Sequence, residues 1–209
     1  MTTIDTLFAT RLYRARLAKR NVAALNARLR AVADALQVDD SAGIAWCERN
    51  AYPGYTSYGS LNDLPWRFPE CAELRDKLDG HAQAFGEALE FDLGNSILVL
   101  DSLWVNVLEP GGHHAAHIHP HSVISGTYYV DVPKGAGAIR FEDPRHAMMM
   151  AAPPRRASAA ADNRSFVTVA PKPGDVLLWE SWLRHDVPIH TGDEVRVSIS
   201  FNYGLEAAT

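Results

Sequence analysis

Five histidines, His113, His114, His117, His119 and His121, fall within nine residues of a 209-residue chain; the other four are scattered, at His81, His146, His185 and His190. Imidazole is the commonest side-chain ligand for a mid-row transition metal. In an extended segment, residues two apart point to the same side. His117-Ile118-His119 therefore presents two imidazoles to one ion. His185 follows a turn, Pro173-Gly174-Asp175, and the apolar run Val176 to Trp179, so it offers a third imidazole from a distant strand. Three protein ligands on one face of an ion leave three positions open, the arrangement of oxygen-activating iron sites. The bland alternative is an exposed histidine cluster that picks up metal adventitiously.

Eleven residues beyond His185, Arg196 and Ser198 share one face of a last β-prone run, Val195 to Tyr203. An arginine inside a β-barrel is costly unless paired. A ligand carboxylate bound bidentately would satisfy it, with the Ser198 hydroxyl donating to the same group. An arginine at a strand end facing solvent is the competing reading.

These residues need elements to hold them. Leu7 to Tyr13 reads as a short strand, and Val22, Leu25, Leu29, Val32 and Leu36 recur at helical steps. Ala51 to Leu61 reads as loop. Pro69 opens a second helix that runs through Leu74, Leu78, Ala82, Phe85 and Leu89. From Ser96 the texture becomes short β-prone runs between Gly and Pro turns: Ile97 to Leu108, Val123 to Val132, Ala138 to Phe141, Ser165 to Val169, Asp175 to Trp179 and Val195 to Tyr203. The expected fold is mainly β with flanking helices, a sandwich or barrel. One domain is expected over 1–209, with residues 1–95 as helical and loop support and 96–204 as the β core. Asp143 to Arg164 has no period, and a structureless segment of that length reads as a lid, a binding loop or a mobile loop without a role.

Composition narrows the partners. A formal net charge of −5 argues against nucleic acid, whose phosphates demand Lys and Arg. No apolar run reaches the length of a membrane span, and the first residues lack a signal-peptide core. Cys47 and Cys71 have no zinc-ligand spacing. They read as free thiols in a reducing compartment, and the expected location is cytoplasmic.

Taken in order, these motifs resemble the 2-oxoglutarate/iron(II)-dependent oxygenase superfamily over Leu103 to Tyr203, about half the chain. Asn106, Pro110-Gly111 and His117-x-His119 are similar to the Asn, Pro-Gly and His-x-Asp run of the alkylation-repair dioxygenases. Ser125-Gly126-Thr127-Tyr128-Tyr129 looks like the strand after the first metal motif of prolyl-hydroxylase-like members. Pro173-x-Asp175, Trp179 and His185-Asp186-Val187 follow, and Arg196-Val197-Ser198 is similar to the Arg-x-Ser that binds the distal carboxylate of 2-oxoglutarate. A bacterial and phage branch shares the His-x-His-Pro, Ser-Gly-x-Tyr-Tyr and Ser-x-Ser-Phe-Asn patterns, the last seen here as Ser198-Ile199-Ser200-Phe201-Asn202. The chain departs from most of the superfamily at His119, where a carboxylate is usual. Either three histidines hold the metal, or a carboxylate such as Glu142 or Asp143 enters from elsewhere.

The resemblance implies a double-stranded β-helix (jelly-roll, cupin-like) and an oxidoreductase that uses Fe(2+) and 2-oxoglutarate. It assigns His117, His119 and His185 to the metal, and Arg196, Ser198, Asn106 and Tyr129 to the cosubstrate. The substrate would be a small molecule or amino-acid- or peptide-like, entering under the Asp143 to Arg164 loop past Tyr55 and Tyr58, with Arg155 attracting an anionic group. Two alternatives stand beside it. One is a three-histidine cupin-type dioxygenase without 2-oxoglutarate, which has no need of Arg196-x-Ser198. The other is a non-catalytic metal-binding barrel, closed by a fourth ligand such as His121.

Overall fold

The computed structural model describes residues 1–17 and 19–208, with the side chains of Lys19 and Asn21 left aside. Its ten strands are β1 (Tyr13–Arg16), β2 (Gly54–Thr56), β3 (Ser96–Leu108), β4 (His114–His117), β5 (Ile124–Asp131), β6 (Ile139–Glu142), β7 (Phe166–Val169), β8 (Asp175–Glu180), β9 (His185–Val187) and β10 (Arg196–Ala207). Three α-helices precede β3: α1 (Lys19–Asp39), α2 (Ser41–Arg49) and α3 (Pro69–Ala88). The strands form two antiparallel sheets, a six-stranded one ordered β1-β8-β5-β10-β3-β2 and a four-stranded one ordered β4-β9-β6-β7. Among the described residues no ladder joins the two, so the expected barrel is a jelly roll of two facing sheets without a closed ring of hydrogen bonds.

Strand alternation decides what each face of the large sheet does. On β10, Val197, Ile199 and Phe201 join Leu103, Val105 and Val107 of β3 and Val176 and Leu178 of β8 in one apolar cluster. Leu25, Leu29 and Leu36 of α1 and Leu74, Leu78 and Phe85 of α3 belong to the same cluster, so the helical stripes cover that face. Each such side chain stabilises the fold by roughly 1.5–3 kcal/mol relative to exposure. The opposite face looks into the molecule. There Tyr129, Leu177 and Trp179 meet Ile139, Phe141 and Val169 of the small sheet. Beside Trp104, further inward positions of β10 and its neighbours are polar yet buried: Asn106, Ser125, Thr127, Arg196, Ser198 and Asn202.

Three sequence expectations change. The strand expected over Leu7 to Tyr13 begins only at Tyr13, because β8 offers partners to Tyr13–Arg16 alone; Leu7 and Phe8 are exposed. The expected loop Ala51 to Leu61 contains edge strand β2, paired with β3 from Gly54↔Leu108 to Thr56↔Asn106. Helix α2 was not anticipated. It is nine residues long, too short for its apolar residues Ile44, Trp46 and Cys47 to repeat as a stripe; its start is set by Asp40, whose carboxylate accepts from the Gly43 amide at 2.9 Å.

Candidate active site

Backbone pairing brings the histidines together. His117 on β4 lies opposite His185 on β9 in the small sheet, with ring centroids 4.4 Å apart. His119 lies just past the end of β4, where its amide donates to the Ser181 carbonyl at 3.0 Å. Its ring comes within 5.1 Å of His117 and 5.2 Å of His185, centroid to centroid. One ring nitrogen from each of the three lies within 4.8 Å of the others, and no other group of His, Cys, Asp or Glu among the described residues clusters this way.

The tautomers are imposed from behind. Nδ1 of His117 lies 2.7 Å from the Ala115 carbonyl, Nδ1 of His185 lies 2.9 Å from the Leu183 carbonyl, and Nδ1 of His119 lies 2.8 Å from Asn202 Oδ1. Each acceptor draws the ring proton to Nδ1 and leaves the Nε2 lone pair free, which is how metal-binding histidines are commonly oriented. Nε2 of His119 is buried and has no partner. Burial, reinforced by the neighbouring imidazole of His117, pushes His119 down to about 4 and His185 down to about 3. With their Nδ1 atoms engaged from behind and one ring nitrogen from each clustered together, these imidazoles fit a divalent cation of the Fe²⁺ or Zn²⁺ kind.

Neither carboxylate considered as a third ligand faces the three rings. Glu142 pairs with Arg184 at 3.1 Å, and Asp143 is held by Arg145 at 2.9 Å. His121 is exposed, in a turn with φ of 75°.

The histidines, together with the inward face of the large sheet, line a cavity of about 560 Å³. Register sets the positions of that face. Ser198 pairs with Asn106 on β3 and Tyr129 on β5; Ser200 pairs with Trp104 and Thr127; Asn202 pairs with Ser102 and Ser125. Arg196 is 1% exposed, its guanidinium donating to Ser198 Oγ at 3.1 Å and lying 5.1 Å from the Tyr129 ring centroid. It has no carboxylate partner among the described residues. Among the described residues, four buried polar side-chain atoms lack a hydrogen-bond partner: His119 Nε2, Tyr129 Oη, Trp179 Nε1 and Arg196 Nε. All four residues line this one cavity. Buried polar groups are nearly always satisfied, so the convergence of four orphans points to a polar, anionic ligand. Tyr129 remains a neutral donor, since burial pushes its hydroxyl up to about 12 against the pull of Arg196.

The other sequence-predicted residues divide. Asn106 lines the cavity, but its Oδ1 already accepts from Thr56 Oγ1 at 2.9 Å and its Nδ2 donates to Ser200 at 3.1 Å. Tyr58 lines the opening. Tyr55 does not: it is buried in the core with its hydroxyl on Asp40 at 2.8 Å. Arg155 does not either. It and the 143–164 segment border a separate hollow of about 680 Å³ against residues 4–12, so that segment covers the N-terminal stretch and not the histidines.

Several lining residues escaped sequence reasoning. Asn202 orients His119, and the Ser-x-Ser-Phe-Asn pattern could have singled it out. Trp179 carries part of the resemblance but no site role in the sequence; its indole centroid lies 4.7 Å from that of His185. His114 lies 2.7 Å (Nε2) from the Tyr52 hydroxyl; burial, with Arg196 nearby, holds it down to about 3. Nothing in the spacing of Tyr52, Trp46 or Trp104 marks them, because they reach the cavity from three different elements.

Similarity to known proteins follows the same geometry. No curated protein matches the chain's sequence. In fold, the chain is similar to AviO1 from Streptomyces viridochromogenes Tue57, with 15% identity over 96% of this chain and 92% of that one and a TM-score of 0.63. It is also similar to a Pseudomonas putida prolyl-4-hydroxylase, with 15% identity, 95% and 94% coverage and a TM-score of 0.59. The α-ketoglutarate-dependent epimerase SnoN of nogalamycin biosynthesis is a third, with 18% identity, 96% and 82% coverage and a TM-score of 0.62. Residues 102–202, which run from β3 to β10 and include every histidine of the cluster, match the family described as "Putative 2OG-Fe(II) oxygenase". Through that β core, just under half of its length, the chain resembles the 2-oxoglutarate/iron(II)-dependent oxygenases.

Proposed function

We propose that this chain is an Fe(II)- and 2-oxoglutarate-dependent dioxygenase in which His117, His119 and His185 hold the metal and Arg196 holds the cosubstrate. The observation that carries the reading is the pairing of two features in one cavity. Three imidazoles with their tautomers set from behind converge there, beside a buried guanidinium that lacks a counter-charge. When bound, iron and 2-oxoglutarate together supply oxidative chemistry: dioxygen is consumed, the oxo-acid becomes succinate and CO2, and a substrate C–H bond is oxidised.

The chain's own residues do the rest. Arg196, with Ser198 beside it, binds the distal carboxylate by charge-assisted hydrogen bonds, and the Tyr129 hydroxyl is a neutral donor next to them. Asn106 acts at one remove, through Thr56 and Ser200, by holding the floor in register. Asn202 keeps His119 in its Nδ1–H form. The buried apolar residues around Trp179 and Phe141 exclude water from the side of His185. We place the whole as one folding unit, its helical half buttressing the β core, and in the cytoplasm, where buried thiols such as Cys47 and Cys71 stay reduced.

A three-histidine dioxygenase without 2-oxoglutarate would leave Arg196 unexplained, so the test turns on that residue. Purified protein with Fe²⁺, ascorbate and 2-oxoglutarate is expected to release succinate and CO2. Arg196→Ala is expected to raise the 2-oxoglutarate KM by roughly 10- to 150-fold, the equivalent of a hydrogen bond to a charged group. An unchanged KM in that variant would sink the cosubstrate assignment.

A further inference from the structure

The mouth of the histidine cavity is walled on one side by aromatic rings in continuous contact. Tyr52 and Trp46 have centroids 6.5 Å apart, Trp46 and Tyr58 6.2 Å, and Tyr58 and Trp104 5.2 Å. Trp104 then lies over the His119 ring at 5.9 Å with an interplanar angle of 29°. The path runs from the surface to a proposed metal ligand. Aromatic rows are commonly core packing, but Tyr58 is 54% exposed. Its ring stands at the rim, open to whatever enters. Trp46 is fixed from behind by Gly59, where even a methyl group would fall 2.4 Å from the indole.

Charge is as informative as shape. Among the described residues lining the cavity there is no Asp, Glu or Lys, and Arg196 is the one arginine, buried at the floor. A charged substrate would lose its hydration here without gaining a counter-ion. A flat neutral ring would gain offset or edge contacts with Tyr58 and Trp104. The volume, about 560 Å³, is in the range of sites for drug-sized ligands, which leaves room above a small diacid on the floor.

We propose that the substrate is an uncharged, ring-bearing small molecule, which stacks on Tyr58 and Trp104 so that its ring edge lies beside His119. The proposal rests on the oxygenase reading of the same cavity and narrows its substrate class. It replaces the expectation of an anionic substrate drawn in by Arg155. Two sources share the stacking chemistry: aromatic rings, and sugars presenting a C–H face.

Anaerobic protein loaded with Fe²⁺ and 2-oxoglutarate is titrated calorimetrically with indole-3-acetamide, indole-3-acetate and methyl β-D-glucopyranoside. Saturable binding of the amide or the glucoside is expected, about tenfold or more tighter than the acetate. Which of the two saturates distinguishes an aromatic from a sugar substrate. Tyr58→Ala, a change at an exposed side chain, should weaken the bound neutral probe several-fold to about tenfold; circular dichroism and Tm verify its fold. The proposal is overturned if the acetate binds as tightly as the amide, if neither neutral ring saturates, or if Tyr58→Ala binds like the parent. The titrations are repeated with metal alone, and 2-oxoglutarate affinity is measured separately on each preparation. Failure there strikes the oxygenase reading, whereas failure of the ring probes strikes only the substrate class.

Discussion

At the scale of single residues, the proposed centre depends on atoms outside the set of candidate metal ligands. Asn202 is the clearest case. Its side-chain carbonyl accepts from Nδ1 of His119 at 2.8 Å and from the Ser125 hydroxyl at 2.8 Å, and its amide nitrogen donates to Ser102 at 3.2 Å. Asn202→Ala frees the His119 ring to turn and to shift its proton to Nε2. Metal affinity is expected to fall roughly 10- to 100-fold, measured by competition with a chelating dye. An unchanged affinity would mean that His119 is oriented by its stacking on Trp104 alone. The spacing of His117, His119 and His185 was legible because imidazoles are rare and their chemistry is narrow. Asn202, Trp179 and Tyr52 were less so, since amide and aromatic side chains serve many purposes and only the fold reveals which face they occupy. Tyr55 shows the converse: three residues before Tyr58 in the same segment, it points into the core, because β2 turns alternate side chains to opposite sides.

At the scale of elements, β10 does most of the positioning. Its even-numbered residues from Arg196 to Asn202 face the cavity while Val197, Ile199 and Phe201 face the helices, an alternation already visible in the order of polar and apolar residues. Helices α1 and α3 were readable from their stripes for the same reason. Helix α2 was not, because it is too short for Ile44 and Cys47 to repeat, and its start depends on a polar cap. Asp40 at its start is 7% exposed and accepts from the Gly43 amide and from the hydroxyls of Tyr55 and Ser60. Burial alone would push this carboxyl up, but the hydroxyls of Ser60 and Tyr55 and the Gly43 amide outweigh it and hold it below the ordinary value. Asp40→Ala removes the cap and strands the buried Tyr55 hydroxyl, at an expected cost of roughly 2–4 kcal/mol. The change is read as a lower urea midpoint at unchanged m-value. Because α2 carries Trp46 and leads into Tyr52, the variant should also loosen the mouth of the cavity.

At the scale of the whole molecule, the buried imidazoles tie stability to pH. Unfolded histidines take up protons near 6.5, whereas burial holds His119 down to about 4 and His114 and His185 down to about 3. Between those values the unfolded chain binds more protons, so this stability is complete above about pH 6.5 and is lost as pH falls toward 4 and 3. Each group contributes a slope of about 1.4 kcal/mol per pH unit in that window. Metal-free protein is therefore expected to show a clearly lower urea midpoint at pH 5 than at pH 7. A flat profile would mean that these rings are not held neutral in the folded state. The proposal that three imidazoles and one guanidinium converge on a single bound complex is tested most directly by anaerobic equilibrium binding of radiolabelled 2-oxoglutarate with and without Fe²⁺. The expected result is one iron and one 2-oxoglutarate per chain, with cosubstrate binding that requires the metal and is lost in His119→Ala. Binding that is indifferent to iron, or iron that binds as well to His119→Ala as to the parent chain, would contradict it.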